Sequence, residues 1–289
     1  MPSNKTIKRR LASVESTQKI TKAMNMVAAS RLQKSKEYLT VARPFLVQTE
    51  KIINAFKNRE DTSDTIFFSS RRSAATAYLV ITSDRGLCGS YNTAVLEKAL
   101  NHINKQKNEK IIVIGSKGYE YFKKNGKRIF KKYDDMLQVD FAEETEHIKA
   151  FLLNLYTSGE VDEICVVYTQ FESVLTHTPS IKKILPIEND SKTVLNQGSY
   201  MQYEPDVNSF LEYAVSMYLG AFIYTVLLES SACEQAARMI SMDTAVTNAS
   251  DILAKLTHMY NRTRQAAITQ EISEVVSNTN ISNGRGDFT

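Results

Sequence analysis

DVNSFLEYAVSMYLGAFIYTVLLESSACEQAARMISMDTAVTNASDILAKLTHMY, residues 206–260, contains one glycine and no proline, and proline stays absent as far as Asn283. Pro205 and Asp206 precede it as a helix start signal. Positions spaced three or four residues apart along this stretch are all apolar. We therefore predict one long helix that pairs with another helix in a coiled coil. The sixteen seam positions are Val207, Phe210, Ala214, Met217, Ala221, Tyr224, Leu228, Ala232, Ala236, Met239, Met242, Val246, Ala249, Leu253, Leu256 and Tyr260.

A second seam runs through the N-terminal 57 residues, and we predict that the two ends of the chain pair as antiparallel helices. Pro44 lies inside this seam and predicts a kink or a helix restart near Arg43. The apolar seam positions are Ile7, Leu11, Val14, Ala28, Leu32, Leu39, Ala42, Leu46 and Ile53.

Around residues 18–27 the N-terminal seam turns polar while a second apolar face appears on the same helical turns. We expect this second face to meet something other than the partner helix. The polar seam residues are Gln18, Thr21 and Asn25, and the second face consists of Ile20, Met24 and Val27.

The middle of the chain holds seven of the ten glycines and alternates β-branched runs with helical patterns. This alternation predicts an α/β domain with a mainly parallel sheet. The predicted strands are 74–82, 110–115, 162–170 and 181–186, and the predicted helices are 92–104, 117–124 and 143–156. The predicted organisation is an N-terminal helix 1–57, a central α/β domain 74–186 between linkers 58–73 and 187–204, a C-terminal helix 205–283 and a flexible tail 284–289.

Charge and size indicate that the helical pair needs a partner. Residues 1–57 carry a net charge of +9 and residues 206–276 a net charge of −4. Helices of about 80 and 105 Å exceed the diameter of about 40 Å that a compact central domain would have. The pair is therefore predicted to protrude as a rod, and its uncovered apolar surface predicts a partner. The sequence shows no signal peptide and no uninterrupted apolar run of membrane-spanning length.

Nothing in the sequence defines a catalytic, cofactor or metal centre. ITSDRGLCGSYN, residues 81–92, joins a strand to a helix but is not a Walker phosphate loop, so a structural or contact loop is the better interpretation. Cys88 within it has no neighbouring histidine in the sequence, which argues against a nucleophile. The basic run 117–132 with interleaved aromatic residues fits either a solvated face or a nucleic-acid or anionic-lipid surface.

Three stretches together resemble the gamma subunit of the rotary ATP synthase, its central stalk. They are KRRLASVESTQKITKAMNMVAASRL (8–32), ITSDRGLCG (81–89) and EQAARMISMDTAVTNASD with YNRTRQAAITQEISEVV (234–276). The closing signature of this family continues into Gly-Ala, whereas here Ser277 follows Val276. The resemblance implies an antiparallel coiled coil on a Rossmann-like α/β domain, with no cofactor and no catalysis by this chain itself.

The resemblance also implies partners and contact residues. The rod would sit inside a ring of alpha and beta subunits, and the globular part would bind the epsilon subunit and the membrane c-ring at the cytoplasmic face of a bacterial inner membrane. Arg264, Gln265 and Thr269 match positions at the helix tip that touch the inner loops of the ring. A zone beside a beta-subunit lever is matched by Lys19, Lys22, Met24 and Arg238, with Cys88 close by.

Two other classes of protein stay open at this point. One is a small-molecule enzyme on the α/β domain with a coiled-coil oligomerisation arm, which would need a pocket with convergent polar groups. The other is a nucleic-acid-binding coiled coil using residues 1–57 and 117–132, which the acidic second helix disfavours because it would repel phosphate.

Overall fold

The computed structural model describes residues 4–57, 65–69, 75–105, 108–134, 141–187 and 206–283. Two helices of 54 and 77 residues stand at the ends of this part of the chain, and five strands with three shorter helices lie between them. In chain order the elements are α1 (Asn4–Lys57), β1 (Ala75–Ile81), α2 (Tyr91–Ile103), β2 (Asn108–Ile114), α3 (Ser116–Lys124), β3 (Ile129–Tyr133), α4 (Phe141–Thr157), β4 (Glu163–Phe171), β5 (His177–Leu185) and α5 (Val207–Asn283).

The five strands form one sheet in the order β3-β2-β1-β4-β5. The first four strands are parallel, and β5 pairs antiparallel with β4 at one edge. Central strand β1 is buried on both faces because its side chains alternate between two apolar layers. Leu79 and Ile81 pack in the layer shared with α4 and α5, whereas Tyr78 and Val80 pack in the layer shared with α2 and α3.

The chain divides into two compact units, residues 1–27 with 240–289 and residues 28–239. The second unit contains the whole sheet together with residues 28–57 of α1 and residues 207–239 of α5. There α1 and α5 run antiparallel, since Ser35 contacts Ser231 while the later Arg43 contacts the earlier Glu229. In this unit α5 is buried on nearly all sides between residues 218 and 236, because α1 covers one side and the sheet the other.

The structure confirms the predicted class, an α/β domain flanked by N- and C-terminal helices of an antiparallel coiled coil. All sixteen predicted seam positions of α5 are buried or half-buried, and so are the nine of α1. The three predicted short helices and the four predicted strands are also present. Most of the linker predicted at 187–204 and the whole tail predicted at 284–289 lie outside the described residues, and the domain boundaries stay predictions.

Of the kink or helix restart predicted near Arg43, the restart was wrong, and one strand was not predicted. Helix α1 does not restart near Arg43 but continues through Pro44 to Lys57. Tertiary packing holds the helix together on both sides of the missing backbone hydrogen bond, since Leu39, Ala42 and Ile53 are all buried. The second error is an unpredicted strand, β3, at the end of the basic run.

Helix α5 also qualifies the expectation about membrane segments. Within residues 209–276 it contains a window of 18 residues that is long and apolar enough to cross a membrane by composition alone. In this fold 67% of that window is buried inside the protein. A core helix of this kind needs apolar residues on all sides for the same reason that a membrane span does.

Candidate functional site

The loop after β1 lies where parallel α/β proteins bind ligands, at the carboxyl ends of the strands. Its polar groups bond to one another. The Asn92 side chain accepts a hydrogen bond from the Ser83 backbone N–H at 3.0 Å and donates one to the Ser83 hydroxyl at 2.7 Å. The Thr82 hydroxyl donates to the Ile114 carbonyl at 2.7 Å and accepts from the Gly118 N–H at 3.0 Å. The loop is therefore braced against β2 and α3.

Asp84 caps the N-terminus of α3. Its Oδ1 accepts a hydrogen bond from the backbone N–H of Ser116, the first residue of α3, at 3.0 Å. A helix N-terminus attracts anions because its N–H groups are free and its dipole end is positive. Here the chain supplies that anion itself. This bond ties the loop to α3, and its interpretation as a structural or contact loop stays a prediction.

Gly115 and Gly118 let β2 and α3 approach this loop closely. Gly115 has φ +92°, and a Cβ there would lie 2.3 Å from the Thr82 carbonyl oxygen. A Cβ on Gly118 would lie 2.7 Å from both the Thr82 Oγ1 and the Val113 Cγ1. Both positions need glycine because of close contact rather than a ligand.

Cys88 lies inside the braced loop as a neutral thiol. Its side chain is 2% exposed and receives a hydrogen bond from the Asn92 amide at 3.2 Å. Burial raises the pKa of the Cys88 thiol, and the Ser83 hydroxyl and the Arg238 charge offset this only in part. No histidine activates it, since the Nδ1 of His102 pairs with the Tyr78 hydroxyl on α2's face of the sheet. This environment is the opposite of a reactive cysteine's.

We expect the three thiols of the folded chain to react slowly with a thiol reagent. All three cysteines are buried, and the raised pKa of Cys88 lowers its thiolate fraction at pH 8. Native protein should therefore react at least about tenfold more slowly than protein unfolded in guanidinium, which is the matched control. The absorbance of the coloured thiolate that the reagent releases measures the rate of the reaction. Rapid native labelling of one thiol, mapped to Cys88, would contradict the buried position.

Arg238 on α5 is held against the same loop. Its Nη1 lies 2.7 Å from Glu234 Oε1, and its Nη2 donates to the backbone carbonyls of Arg85 and Gly86 at 3.4 and 3.3 Å. Side-chain exposure is 9% for Arg238 and 7% for Glu234, so this pair is a buried one. The structure therefore brings Cys88 and Arg238 together as predicted but buries both. The exposed side chains at this place are Arg85 and Leu87.

The first unit exposes both charge and apolar surface on α1. Lys19 and Lys22 are exposed and Met24 is half-buried. The polar seam residues face inward, since Thr21 is buried and the Gln18 amide donates to the Ser250 hydroxyl at 2.8 Å. The second apolar face accordingly points outward, with Ile20 59% and Val27 54% exposed.

All six Lys and Arg residues of α1 within the first unit are exposed, and none forms an ion pair with a described residue. Of the ion pairs among described residues, only Arg43–Glu229 in the second unit joins α1 to α5. The six side chains are Lys5, Lys8, Arg9, Arg10, Lys19 and Lys22.

The distal part of α5 is exposed on most sides. Arg264, Gln265 and Thr269 are exposed, and the only side-chain bond described among them is that from the Thr269 hydroxyl to the Gln265 carbonyl, at 2.9 Å. Large apolar side chains lie exposed beside them, among them Ile268 and Ile272. Apolar surface of this kind normally marks contact with another protein.

The basic run 117–132 is partly neutralised within the chain. Three of its seven cations pair with carboxylates, and others lie over aromatic rings, which favours the solvated face over a nucleic-acid surface. The pairs are Lys117–Glu120, Lys127–Glu109 and Lys132–Asp134, and Lys131 lies over Phe151.

Sequence reasoning missed Asp84 and Glu234. Glu234 stands four residues before Arg238, the spacing of a helical ion pair, so this signal was readable. The Asp84 contact joins residues 32 positions apart and had no local signal. Among the described residues, no group of three His, Cys, Asp or Glu could hold a metal ion.

Long antiparallel helices, an α/β domain and exposed apolar surface are features of a subunit that contacts other chains. Comparison with known proteins agrees with this class. The model of the ATP synthase family that is described as "ATP synthase" matches residues 3–280. The chain belongs to this family, among its gamma chains.

The relatives at the sequence level span nearly the whole chain. The ATP synthase gamma chain of Chlorobium luteolum is 39% identical over 285 residues, covering 96% of this chain and 97% of the relative. The gamma chain of Alkaliphilus metalliredigens is 37% identical over 276 residues, covering 94% and 96%.

Solved structures resemble the fold. A chain from the central stalk and c-ring structure of the Tetrahymena thermophila mitochondrial ATP synthase matches with a TM-score of 0.63 at 25% identity, covering 78% of this chain and 99% of that one. A chain of the Euglena gracilis mitochondrial enzyme matches with a TM-score of 0.69 over 99% of this chain and 96% of that one. Its identity is 16%, so it supports the fold alone.

Proposed function

We propose that this chain is the central rotor shaft of an ATP synthase. In this role it couples ion-driven rotation of a membrane ring to conformational change in the alpha and beta subunits, and it catalyses nothing itself. The observation that carries the proposal is the outward-facing surface of the first unit, where unpaired cations stand beside exposed apolar side chains. Membership of the gamma-chain family supports the same role.

The proposed mechanism rests on unequal contacts. A shaft without threefold symmetry presents a different side to each of three catalytic subunits, so each turn changes which subunit its contacts favour. Exposed ion pairs contribute about 0–1 kcal/mol each. Contacts of that strength suit a shaft because they must break and form again at every step.

The eight predicted contact residues differ in how accessible they are to a partner. Lys19, Lys22 and the tip residues Arg264, Gln265 and Thr269 are exposed and free to meet a ring. Half-buried Met24 belongs to the second apolar face, together with Ile20 and Val27. Cys88 and Arg238 would act indirectly, because they position the loop whose exposed residue Leu87 is 63% accessible.

The remaining partners and the location are also proposals. The α/β domain would bind the epsilon subunit and the membrane c-ring, placing the chain at the cytoplasmic face of a bacterial inner membrane, with membrane association only through the complex. No nucleic acid is involved. The small-molecule enzyme is not favoured by the family membership.

Co-purification from native membranes tests this function. A tagged chain should bring with it alpha and beta subunits that hydrolyse ATP. Ile20→Asp places a charge on the outward apolar face and should lower the yield of assembled complex at least about threefold, since about 1 kcal/mol of apolar burial is lost. Immunoblotting against the tag and ATPase assay measure the two quantities.

Leu175→Asp is the matched control, because Leu175 is exposed in the loop between β4 and β5 of the second unit. Its yield should equal that of the unchanged chain. Recovery of a homo-oligomer without nucleotide-hydrolysing subunits would refute the shaft and restore the enzyme interpretation.

A further inference from the structure

In the second unit a polar joint connects α1, α5 and the sheet. Arg43 of α1 donates from Nε and Nη2 to Glu229 Oε1 of α5, at 2.9 and 2.7 Å. Its Nη2 also donates to the backbone carbonyl of Phe171, the last residue of β4. The guanidinium of Arg43 thus connects α1 to both α5 and β4.

A second ion pair continues the joint along α1. Lys182 Nζ of β5 lies 2.8 Å from Glu50 Oε1 of α1, and the same ammonium stands 5.0 Å above the ring of Phe222 on α5. Seven residues separate Arg43 from Glu50, so both side chains leave the same face of α1 two turns apart. We call Arg43, Glu50, Lys182 and Glu229 the helix–sheet joint.

The joint differs in kind from the rest of the packing between these elements. Around it α1, α5 and the sheet meet through apolar side chains such as Ile53, Phe56 and Leu211. Apolar contact is non-directional and opposes separation more than it opposes sliding. A guanidinium that bonds a carboxylate and a carbonyl fixes direction as well as distance. The joint therefore resists rotation of the helices against the sheet.

The position of the joint along α1 adds to this argument. Pro44 follows Arg43 directly and removes one backbone hydrogen bond from the helix. The helix is thus less stiff at the residue where it is bonded to α5 and β4. The side chain of Glu229 is 9% exposed and that of Arg43 is 43% exposed, so loss of Arg43 leaves a largely buried carboxylate without its partner.

We propose that the helix–sheet joint carries torque, locking both helices to the α/β domain so that they turn with it. This inference rests on the shaft function proposed above and assigns part of it to four residues. The joint contacts neither nucleotide nor ion. It acts by positioning the helices relative to the sheet under load.

The test uses the intact membrane complex in inverted vesicles and compares ATP hydrolysis with ATP-driven ion uptake. In the Arg43→Ala variant, the rate of ATP hydrolysis should stay within about twofold of the wild-type rate, because the catalytic subunits still contact the same surface of the shaft. Ions moved per ATP should fall at least about fivefold once a gradient opposes rotation, since the helices then slip against the sheet. A pH-sensitive dye or radioactive sodium reports uptake.

Two variants calibrate this result. Arg43→Lys keeps the charge opposite Glu229 but loses the forked geometry, so its ion-to-ATP ratio should lie between those of the other two. Lys117→Ala removes the exposed pair with Glu120 on α3 and should leave the ratio unchanged. If the complex with Arg43→Ala does not assemble, Glu50→Gln takes its place as the test variant. It weakens the other ion pair of the joint and should lower the same ratio.

A merely structural role would lower hydrolysis and uptake together and leave ions per ATP constant. That outcome for Arg43→Ala, or for Glu50→Gln where it takes its place, overturns the joint while the shaft function stands. Absence of the unchanged chain from any ATP-hydrolysing complex overturns the shaft function instead, so the two failures are distinguishable.

Discussion

Replacing Arg238 by methionine is expected to lower the free energy of unfolding by about 3–5 kcal/mol, because a buried carboxylate loses its partner. The carboxylate is that of Glu234, and one of its oxygens, Oε2, already has no hydrogen-bond partner. The variant also releases the carbonyls of Arg85 and Gly86 from the guanidinium. Urea unfolding followed by far-UV circular dichroism measures the loss.

The loss should depend on pH in a defined direction. Burial raises the pKa of Glu234, and Arg238 opposes that rise. Without Arg238 the folded-state pKa rises further above that of the unfolded chain, so the folded state binds the extra proton. Stability must then fall as pH rises through the interval between the two values, which makes the variant weaker at about pH 8 than at about pH 5.

Two controls separate this cause from a general defect. The double variant Glu234→Gln with Arg238→Met removes the buried charge and should recover part of the stability. Lys255→Met replaces an exposed cation on the same helix and should change stability by less than about 0.5 kcal/mol. A loss that is equal at both pH values would mean that Glu234 is not the unpaired charge.

Gly115→Ala should cost roughly 3–5 kcal/mol, the sum of backbone strain and overpacking. The added Cβ would lie 2.3 Å from the Thr82 carbonyl oxygen and 2.7 Å from its carbon. Backbone atoms cannot rotate away as a flexible side chain can, so β1, β2 or α3 must shift. Urea unfolding of the purified variant measures this cost.

Gly126→Ala is the matched control for that substitution. Gly126 also has a positive φ, +69°, but a Cβ there meets nothing within 4 Å. Its cost should be about 1 kcal/mol, which is the strain of the left-handed backbone alone. Equal costs at the two glycines would show that close packing of β2 on the loop does not matter.

The helices were predictable because their signal is long and local. The seam of α5 repeats through sixteen positions, and a pattern of that length overrides single exceptions such as Gly220. Strand β3 was missed because IFKKY is short, half-charged and part of a basic run. At the edge of the sheet beside β2, its two lysines are only half-buried.

The site was harder to predict because its contacts join distant parts of the chain. Only the family resemblance implied that Cys88 and Arg238 belong to one zone, and no local pattern shows that both are buried. Arg43 and Glu229 are 186 positions apart, and Arg43 drew notice only through its neighbour Pro44. Polar pairing across a fold depends on tertiary geometry, which helical and strand periodicity do not encode.

The outward apolar face of the first unit has a consequence for the cell that makes this chain. A free copy displays Ile20, Val27 and Ile272 to water next to uncompensated positive charge. Such a molecule is adhesive, toward itself and toward polyanions, until other subunits enclose it. We therefore expect a surplus of this chain over its companions to aggregate.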